Sequence, residues 1–186
     1  EVIALPKLAR VAALAKALNA QGGRLALAVD CEEGITRLAR ALQDAQAGDA
    51  AMDVLVEINV GQNRCGAEPG EAVLVLAQAI AAQPVLRFAG LQAYHGGAQH
   101  LRSAEERKAA IEQVLKLVNR TRHEFDRAGL VIPLITGAGT GTMVNEAASG
   151  IYGEIQPGSF HFMDADYAAN QRDAAQPLFE HALYVK

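Results

Sequence analysis

LRFAGLQAYHGGAQHLRSAEERKAAIEQVLKLVNRTRHEFDRAGLVIPLITGAGTGT, residues 86–142, runs from a strand pattern through a capped helix into a second strand pattern. Leu86 to Tyr94 is apolar and ends in polar residues, as a buried strand feeding a loop should. The helix signal that follows is the clearest in the chain. Ser103 and Glu106 form a capping box, Ile111, Leu115, Val118, Arg122 and Phe125 recur along a face, and Gly129 supplies the stop. Leu130 to Ile135 then reads as another strand. A strand, a long crossover helix and a second strand make a βαβ unit, whose strands are parallel and whose crossover is right-handed.

The same alternation extends toward both ends. Upstream, Leu8, Val11, Ala12, Ala15 and Leu18 mark a helix that stops at Gly22-Gly23 before the strand Leu25 to Val29. Ile35, Leu38, Ala39 and Leu42 mark the next helix, followed by the strand Val54 to Ile58. A third helix carries Ala72, Val73, Leu76, Ala77 and Ile80 and leads through Pro84 into Leu86. Downstream, Glu154 to Met163 reads as a fifth strand, interrupted at Pro157-Gly158, and Phe179 to Lys186 as the start of another. Five strands fit an open doubly wound sheet or part of a barrel, and a complete (β/α)8 barrel needs eight strands and about 250 residues.

The chain has 186 residues, 51% of them hydrophobic and 20% charged, with a formal net charge of −4. That balance lacks the basic footprint of a nucleic-acid binder and fits a small-molecule partner. No apolar run approaches the ~18 residues of a membrane span, and Glu1 to Arg10 lacks the features of a secretory signal. Cys31 and Cys65 have no CxxC partner, which argues against a disulfide framework and a zinc site and favours a reduced, cytoplasmic setting.

In either fold, ligands bind at the carboxyl ends of the strands. After the second strand, Val60-Gly61-Gln62-Asn63-Arg64-Cys65-Gly66 is a tight turn holding one Arg, either solvated or turned to an oxyanion. After the third, Tyr94-His95-Gly96-Gly97-Ala98-Gln99-His100 puts a phenol and two imidazoles in one loop, a set able to stack on a flat ligand, move protons or bind metal. After the fourth, Thr136 to Thr142 interleaves three glycines with threonines. It reads as an anion cradle, although it is neither a P-loop nor GxGxxG. Gln156-Pro157-Gly158-Ser159-Phe160 supplies a second Gly-Ser turn, and barrels often build phosphate sites from the loops after strands seven and eight. Asp164 and Asp166 fit a divalent cation or, more simply, a helix start. Glu146 and Glu154 are expected to point away from a cradle that binds anions.

Gly61 to Gly66, Leu91 to Gly96, Gln99-His100, Thr136 to Thr142, Gln156 to Phe160 and Phe162 to Tyr167 stand in one order along the chain. Together they resemble the D-threonine aldolase and D-3-hydroxyaspartate aldolase family, with D-serine dehydratase as a more distant relative. The resemblance implies a fold type III pyridoxal 5′-phosphate enzyme with an alanine racemase-like N-terminal barrel, here about strands four to eight. Residues 1–178 would then be the cofactor-binding barrel, and residues 179–186 the start of a C-terminal β domain. It further implies that Arg64 contacts the cofactor ring substituents, that Tyr94 lies near the ring and that His100 is the acid/base on the substrate hydroxyl. Thr140, Gly141, Thr142, Gly158 and Ser159 take the phosphate-binding positions. The implied reaction is retro-aldol cleavage of a D-3-hydroxy amino acid to glycine and an aldehyde, assisted by a divalent metal such as manganese, in a homodimer.

The family's Schiff-base lysine has no counterpart here. Lys7 and Lys16 lie on one predicted helix, Lys108 and Lys116 on another, and Lys186 is terminal. The family's metal ligands belong to its C-terminal domain, so no metal-ligating residue is assigned in this chain. The expectation is a piece of a longer enzyme. Alternatives are a dehydratase of the same family, a non-catalytic pyridoxal phosphate-binding protein and an unrelated barrel enzyme acting on a sugar phosphate.

Overall fold

A computed structural model describes residues 2–172 and 174–184. The elements run α1 (Leu5–Asn19), β1 (Ala26–Val29), α2 (Glu32–Asp44), β2 (Met52–Glu57), α3 (Glu71–Ala81), β3 (Leu86–Ala93), α4 (Ala104–Arg127), β4 (Ile135–Gly137), α5 (Met143–Ala148), β5 (Glu154–Ile155) and α6 (Ala165–Ala168). Short 3-10 turns lie at Gly96–His100 and Ser159–His161. All five strands are parallel and stand side by side in chain order, β1-β2-β3-β4-β5. A doubly wound sheet reverses its order at a switch point, whereas a barrel adds each strand beside the last. The two folds left open by the strand pattern are thereby separated, and the sheet is part of a barrel wall.

Strand periodicity places alternate side chains on opposite faces. Val54, Val56, Leu91 and Ile135 share the face covered by helices and are buried in the core. Asp53, Leu55, Glu57, Gln92, Thr136 and Glu154 share the inner face. The carboxyl ends of that face carry a polar ladder. The Gln92 and Gln156 amides bond each other reciprocally at 3.0 Å, Gln156 Nε2 donates to Thr136 Oγ1 at 2.9 Å, and Thr136 donates to Glu154 at 2.6 Å. At the opposite strand ends Asp53 joins Arg24 and Arg87 at 2.7 and 2.6 Å. Partial burial pushes the Asp53 carboxyl up, but these guanidinium bonds outweigh it and hold it below the usual carboxylate range.

The capping box forms as predicted, with Glu106 N donating to Ser103 Oγ at 3.1 Å and Ser103 N to Glu106 Oε2 at 3.1 Å. The buried stripe of α4 is Arg107, Ile111, Val114, Val118, Thr121 and Phe125. It alternates steps of four and three, so Leu115 and Arg122, predicted on this face, lie at its margin and outside it. Thr121 accepts the N–H of Gly70 at 2.9 Å and so ties the start of α3 to α4.

Two strands differ from expectation. The fourth begins at Ile135, not Leu130, and runs into the glycine stretch as far as Gly137. Pro133 has no N–H for a ladder, and Val131 is 79% exposed. The fifth covers Glu154–Ile155 alone, because Pro157 interrupts it and the chain turns into the 3-10 segment Ser159–His161. In the stretch Phe179 to Lys186, predicted to begin another strand, residues 179–184 carry no regular secondary structure, and 185 and 186 lie outside the described residues. Among the described residues no helix is long and apolar enough to cross a membrane.

Gly90 explains a kink that positions the site. Its φ is +139°, it sits at a register shift where β2 pairs β3, and an added Cβ would lie 2.0 Å from Leu134 O. Only a residue without a Cβ lets the approach to β4 pass this close, which allows Leu91 N to reach Leu134 O at 2.8 Å.

Candidate active site

The loops after β2, β3, β4 and β5 all emerge at one end of the sheet, and tight contacts bind each to its neighbour. The loop after β2 is closed at its base by Asn59 N to Ala67 O at 2.9 Å, and Asn59 Oδ1 accepts from Gly61 N and Asn63 N at 3.2 and 3.1 Å. Gln62 Oε1 accepts from Gly97 N at 2.8 Å, joining it to the loop after β3. A Cβ on Gly61 would lie 2.7 Å from His95 Nε2, so the imidazole of His95 occupies the space that glycine leaves. Among the described residues His95 Nδ1 is buried without a partner, and desolvation pushes its pKa down, favouring the neutral ring. Arg64, on the outer part of the loop, borders a surface hollow with Asp30, Asn59, Asn63, Cys65 and Gly66. Nearby Glu57 has its pKa raised by burial, an effect that the charge of Arg64 opposes.

The 3-10 turn Gly96–His100 carries His100 on its exposed side and Gln99 on its buried side. His100 Nδ1 lies 2.5 Å from Asp166 Oδ2, and Asp166 also pairs with the Arg102 guanidinium. Those bonds, from Arg102 first and then His100, hold the Asp166 carboxyl below its usual range. With Nδ1 anchored on a carboxylate, the other ring nitrogen of His100 is the one available to a substrate. Asp164 caps α6, its Oδ1 accepting from Tyr167 N at 2.8 Å, so the simpler helix-start reading holds for it. Among the described residues no three His, Cys, Asp or Glu side chains group as a metal site.

Tyr167 joins loops that are far apart in sequence. Its ring centroid is 5.9 Å from that of His100, and Ser159, Tyr94 and Asp166 lie close enough to act electrostatically on its hydroxyl. Burial is the main reason that its pKa is raised. Of the predicted residues, His100 stands beside this tyrosine, to which the sequence assigned no role, and Tyr94 and Ser159 lie within its electrostatic reach. Arg64 remains on the adjoining loop.

The glycine–threonine segment is packed from within. Thr140 and Thr142 are 1% and 0% exposed. Thr140 Oγ1 accepts from Phe160 N at 3.1 Å, closing the loop after β4 on the loop after β5. Thr142 donates to Glu146 Oε1 at 2.7 Å and accepts from Gln99 Nε2 at 2.8 Å, while Gly141 N donates to Gln99 Oε1 at 2.8 Å. Gly141 and Thr142, both placed at phosphate-binding positions by the resemblance, thus have the N–H and the hydroxyl engaged inside the loop. Among the described residues, the N–H groups of Gly139, Thr140, Gly158 and Ser159 are bonded to nothing in the chain, and a Cβ on Gly158 would meet only open space. This is the chemistry of an anion site: unspent donors around glycines at strand ends.

The two glutamates depart from expectation. Glu146 does not point away: it is 1% exposed and lies beneath the loop against Thr142, with Oε2 unpartnered among the described residues. Burial raises its pKa to about 7, only partly opposed by the Thr142 bond, so near neutrality about half of it is uncharged and the anion repulsion that argued against this position is weakened. Glu154 turns to Thr136, at the base of the same segment. Gln99, also missed, had one sequence signal: a long amide directly before the candidate histidine.

Residues 4–166 match the family model described as "Alanine racemase, N-terminal domain". The chain belongs to this family, and the partial barrel with its loops at the carboxyl ends of the strands is the class of fold that the family defines. More particularly, over 186 residues it is 41% identical to D-threonine aldolase from Arthrobacter sp, covering all of this chain and 46% of the relative. It is 38% identical over 183 residues to 3-hydroxy-D-aspartate aldolase of Paracoccus denitrificans (strain Pd 1222), covering 96% of this chain and 46% of the relative. The crystal structure of D-threonine aldolase from Filomicrobium marinum superposes with a TM-score of 0.88 at 42% identity, over 98% of this chain and 46% of the other. The chain thus spans about half the length of these relatives.

Proposed function

We propose that this chain is the cofactor-binding part of a pyridoxal 5′-phosphate-dependent aldolase that cleaves a D-3-hydroxy amino acid, D-threonine or D-3-hydroxyaspartate, to glycine and an aldehyde. The observation that carries the reading is the closure of the β4 and β5 loops on each other through Phe160 N and Thr140 Oγ1 at 3.1 Å. It gathers unspent N–H donors on both loops, at the strand ends that also carry His100. Identity to D-threonine aldolase of 41% supports the chemistry assigned to that site.

The residues present fit the phosphate of such a cofactor. The N–H groups of Gly139, Thr140, Gly158 and Ser159 and the free proton of the Thr140 hydroxyl would hold it, with Gly141 and Thr142 as internal supports. Tyr94 would flank the ring, and Arg64 would approach its substituents from the loop after β2. When bound, pyridoxal phosphate supplies an electron sink for the pair released when the Cα–Cβ bond breaks. His100 accepts the β-hydroxyl proton at Nε2, while Asp166, held by Arg102, fixes Nδ1 and so orients the ring. A divalent metal beside the substrate hydroxyl and a homodimeric assembly belong to the same proposal.

The test uses the full-length protein. D-threonine, D-3-hydroxyaspartate and D-serine are supplied with and without manganese, and the products are identified. Glycine plus an aldehyde is expected. Pyruvate from D-serine without any aldehyde would replace the aldolase with a dehydratase, and turnover of none of the three would leave only cofactor binding.

A further inference from the structure

We propose that Gln99 is a positioning residue that shapes the anion-binding loop and locks it to the turn bearing His100. This deepens the reading of that loop as a phosphate cradle and rests on it.

The Gln99 side chain is 1% exposed and the loop is folded around it. A Cβ on Gly139 would lie 2.6 Å from Gln99 Cδ and Oε1, and one on Gly141 would lie 2.9 Å from Gln99 O. Glycine therefore makes room for the Gln99 side-chain amide at position 139 and for the Gln99 backbone carbonyl at position 141, in addition to any closeness to a ligand. The hydrogen bonds run in a fixed direction. Thr142 has one hydroxyl proton and gives it to Glu146, so its oxygen must accept from residue 99, while Gly141 N must find an acceptor on that same residue. One side chain has to donate and accept at once from the end of a two-carbon stem, which a glutamine amide does and a carboxylate or a hydrocarbon does not. Gln99 Nε2 also contacts His95 O at 3.3 Å, and Asn170 Nδ2 donates to Gln99 O at 2.9 Å.

Because the Gly141 N–H is drawn inward by Gln99, that donor is withdrawn from the cradle while the preceding Thr140 N–H stays unspent. His100 is the next residue on the same 3-10 turn. A shift of Gln99 would therefore disturb the phosphate donors and the imidazole together.

The experiment measures the dissociation constants of pyridoxal phosphate and of pyridoxal, which lacks the phosphate, for the full-length wild type, Gln99→Leu and Gln99→Met. Methionine keeps the length and volume of the side chain should leucine prevent folding. Loss of the paired amide bonds weakens pyridoxal phosphate about tenfold, while pyridoxal changes less than about twofold, so the advantage conferred by the phosphate shrinks by nearly that factor. Equal weakening of both ligands, or no weakening of either, overturns the proposal. Hydrogen exchange of the 138–146 segment is read in parallel against α4. Should the wild type show no preference for the phosphorylated ligand, the cofactor reading fails on its own. Faster exchange confined to 138–146 in the methionine variant would then still support the clasp, and unchanged exchange would overturn it.

Discussion

Replacing Glu146 with Gln removes an acid from beneath the glycine loop while keeping an oxygen for Thr142. In the wild type that carboxyl is 1% exposed, one of its oxygens has no partner, and burial lifts its pKa from 4.5 to about 7. A carboxyl whose folded-state pKa is raised favours the fold while it is protonated. Its contribution is fully present below about pH 4.5 and is lost as pH rises toward and through 7. At about 1.4 kcal/mol per pH unit, the interval corresponds to about 3 kcal/mol, most of it lost between pH 5 and pH 8. Glutamine has no proton to lose, although its buried amide adds a penalty that does not depend on pH. Urea unfolding of wild type and Glu146→Gln across this range isolates the group, since all other titrations are common to both. The stability difference should move by about 2 to 3 kcal/mol in favour of the variant between pH 5 and pH 8. A difference that stays flat would refute the assignment of Glu146 as a carboxyl kept neutral by burial.

Other outcomes follow from the same geometry. Asp166→Asn removes the carboxylate on His100 Nδ1 and should lower kcat on the order of 10²-fold, with the affinity for pyridoxal phosphate unchanged in a binding titration. Gly139→Ala forces a Cβ to 2.6 Å from Gln99 and should weaken pyridoxal phosphate about tenfold in the same titration, by the loss of about one to two hydrogen bonds. Gly90→Ala meets Leu134 O at 2.0 Å with φ at +139° and should cost about 3 kcal/mol or more in urea unfolding. Ser103→Ala removes the cap of α4 and should cost about 1 kcal/mol by the same measurement.

The helices and the first three strands were legible because their apolar periodicity is set by burial on one side, as in α4 and in Val54 and Val56 of β2. The last two strands were misjudged for a local reason. Leu130 to Leu134 looks as apolar as a strand, but Pro133 cannot join a ladder, and the pairing residues include Thr136 and Gly137, which look like loop. Sheet order was not legible in the strand patterns, which carry no record of their neighbours; the barrel came from the resemblance carried by the loop motifs. In the site, residue types disclosed the loop chemistry, whereas the direction of each bond did not show. Thr140 and Thr142 are two residues apart and chemically alike, yet one braces the neighbouring loop and the other is spent on Gln99 and Glu146. Glu146 was misplaced because a fully charged carboxylate was assumed; burial beneath the loop raises its pKa to about 7 and so reduces the charge that made the position unfavourable.

A crystal structure of the full-length protein grown with pyridoxal 5′-phosphate tests the central claim most directly. The phosphate group is expected at hydrogen-bond distance, about 3 Å, from the N–H groups of Thr140 and Ser159, with the ring on the side of Tyr94 and His100. A cofactor whose phosphate lies elsewhere, with the Gly139 to Thr142 and Gly158-Ser159 turns free of it, would contradict the account.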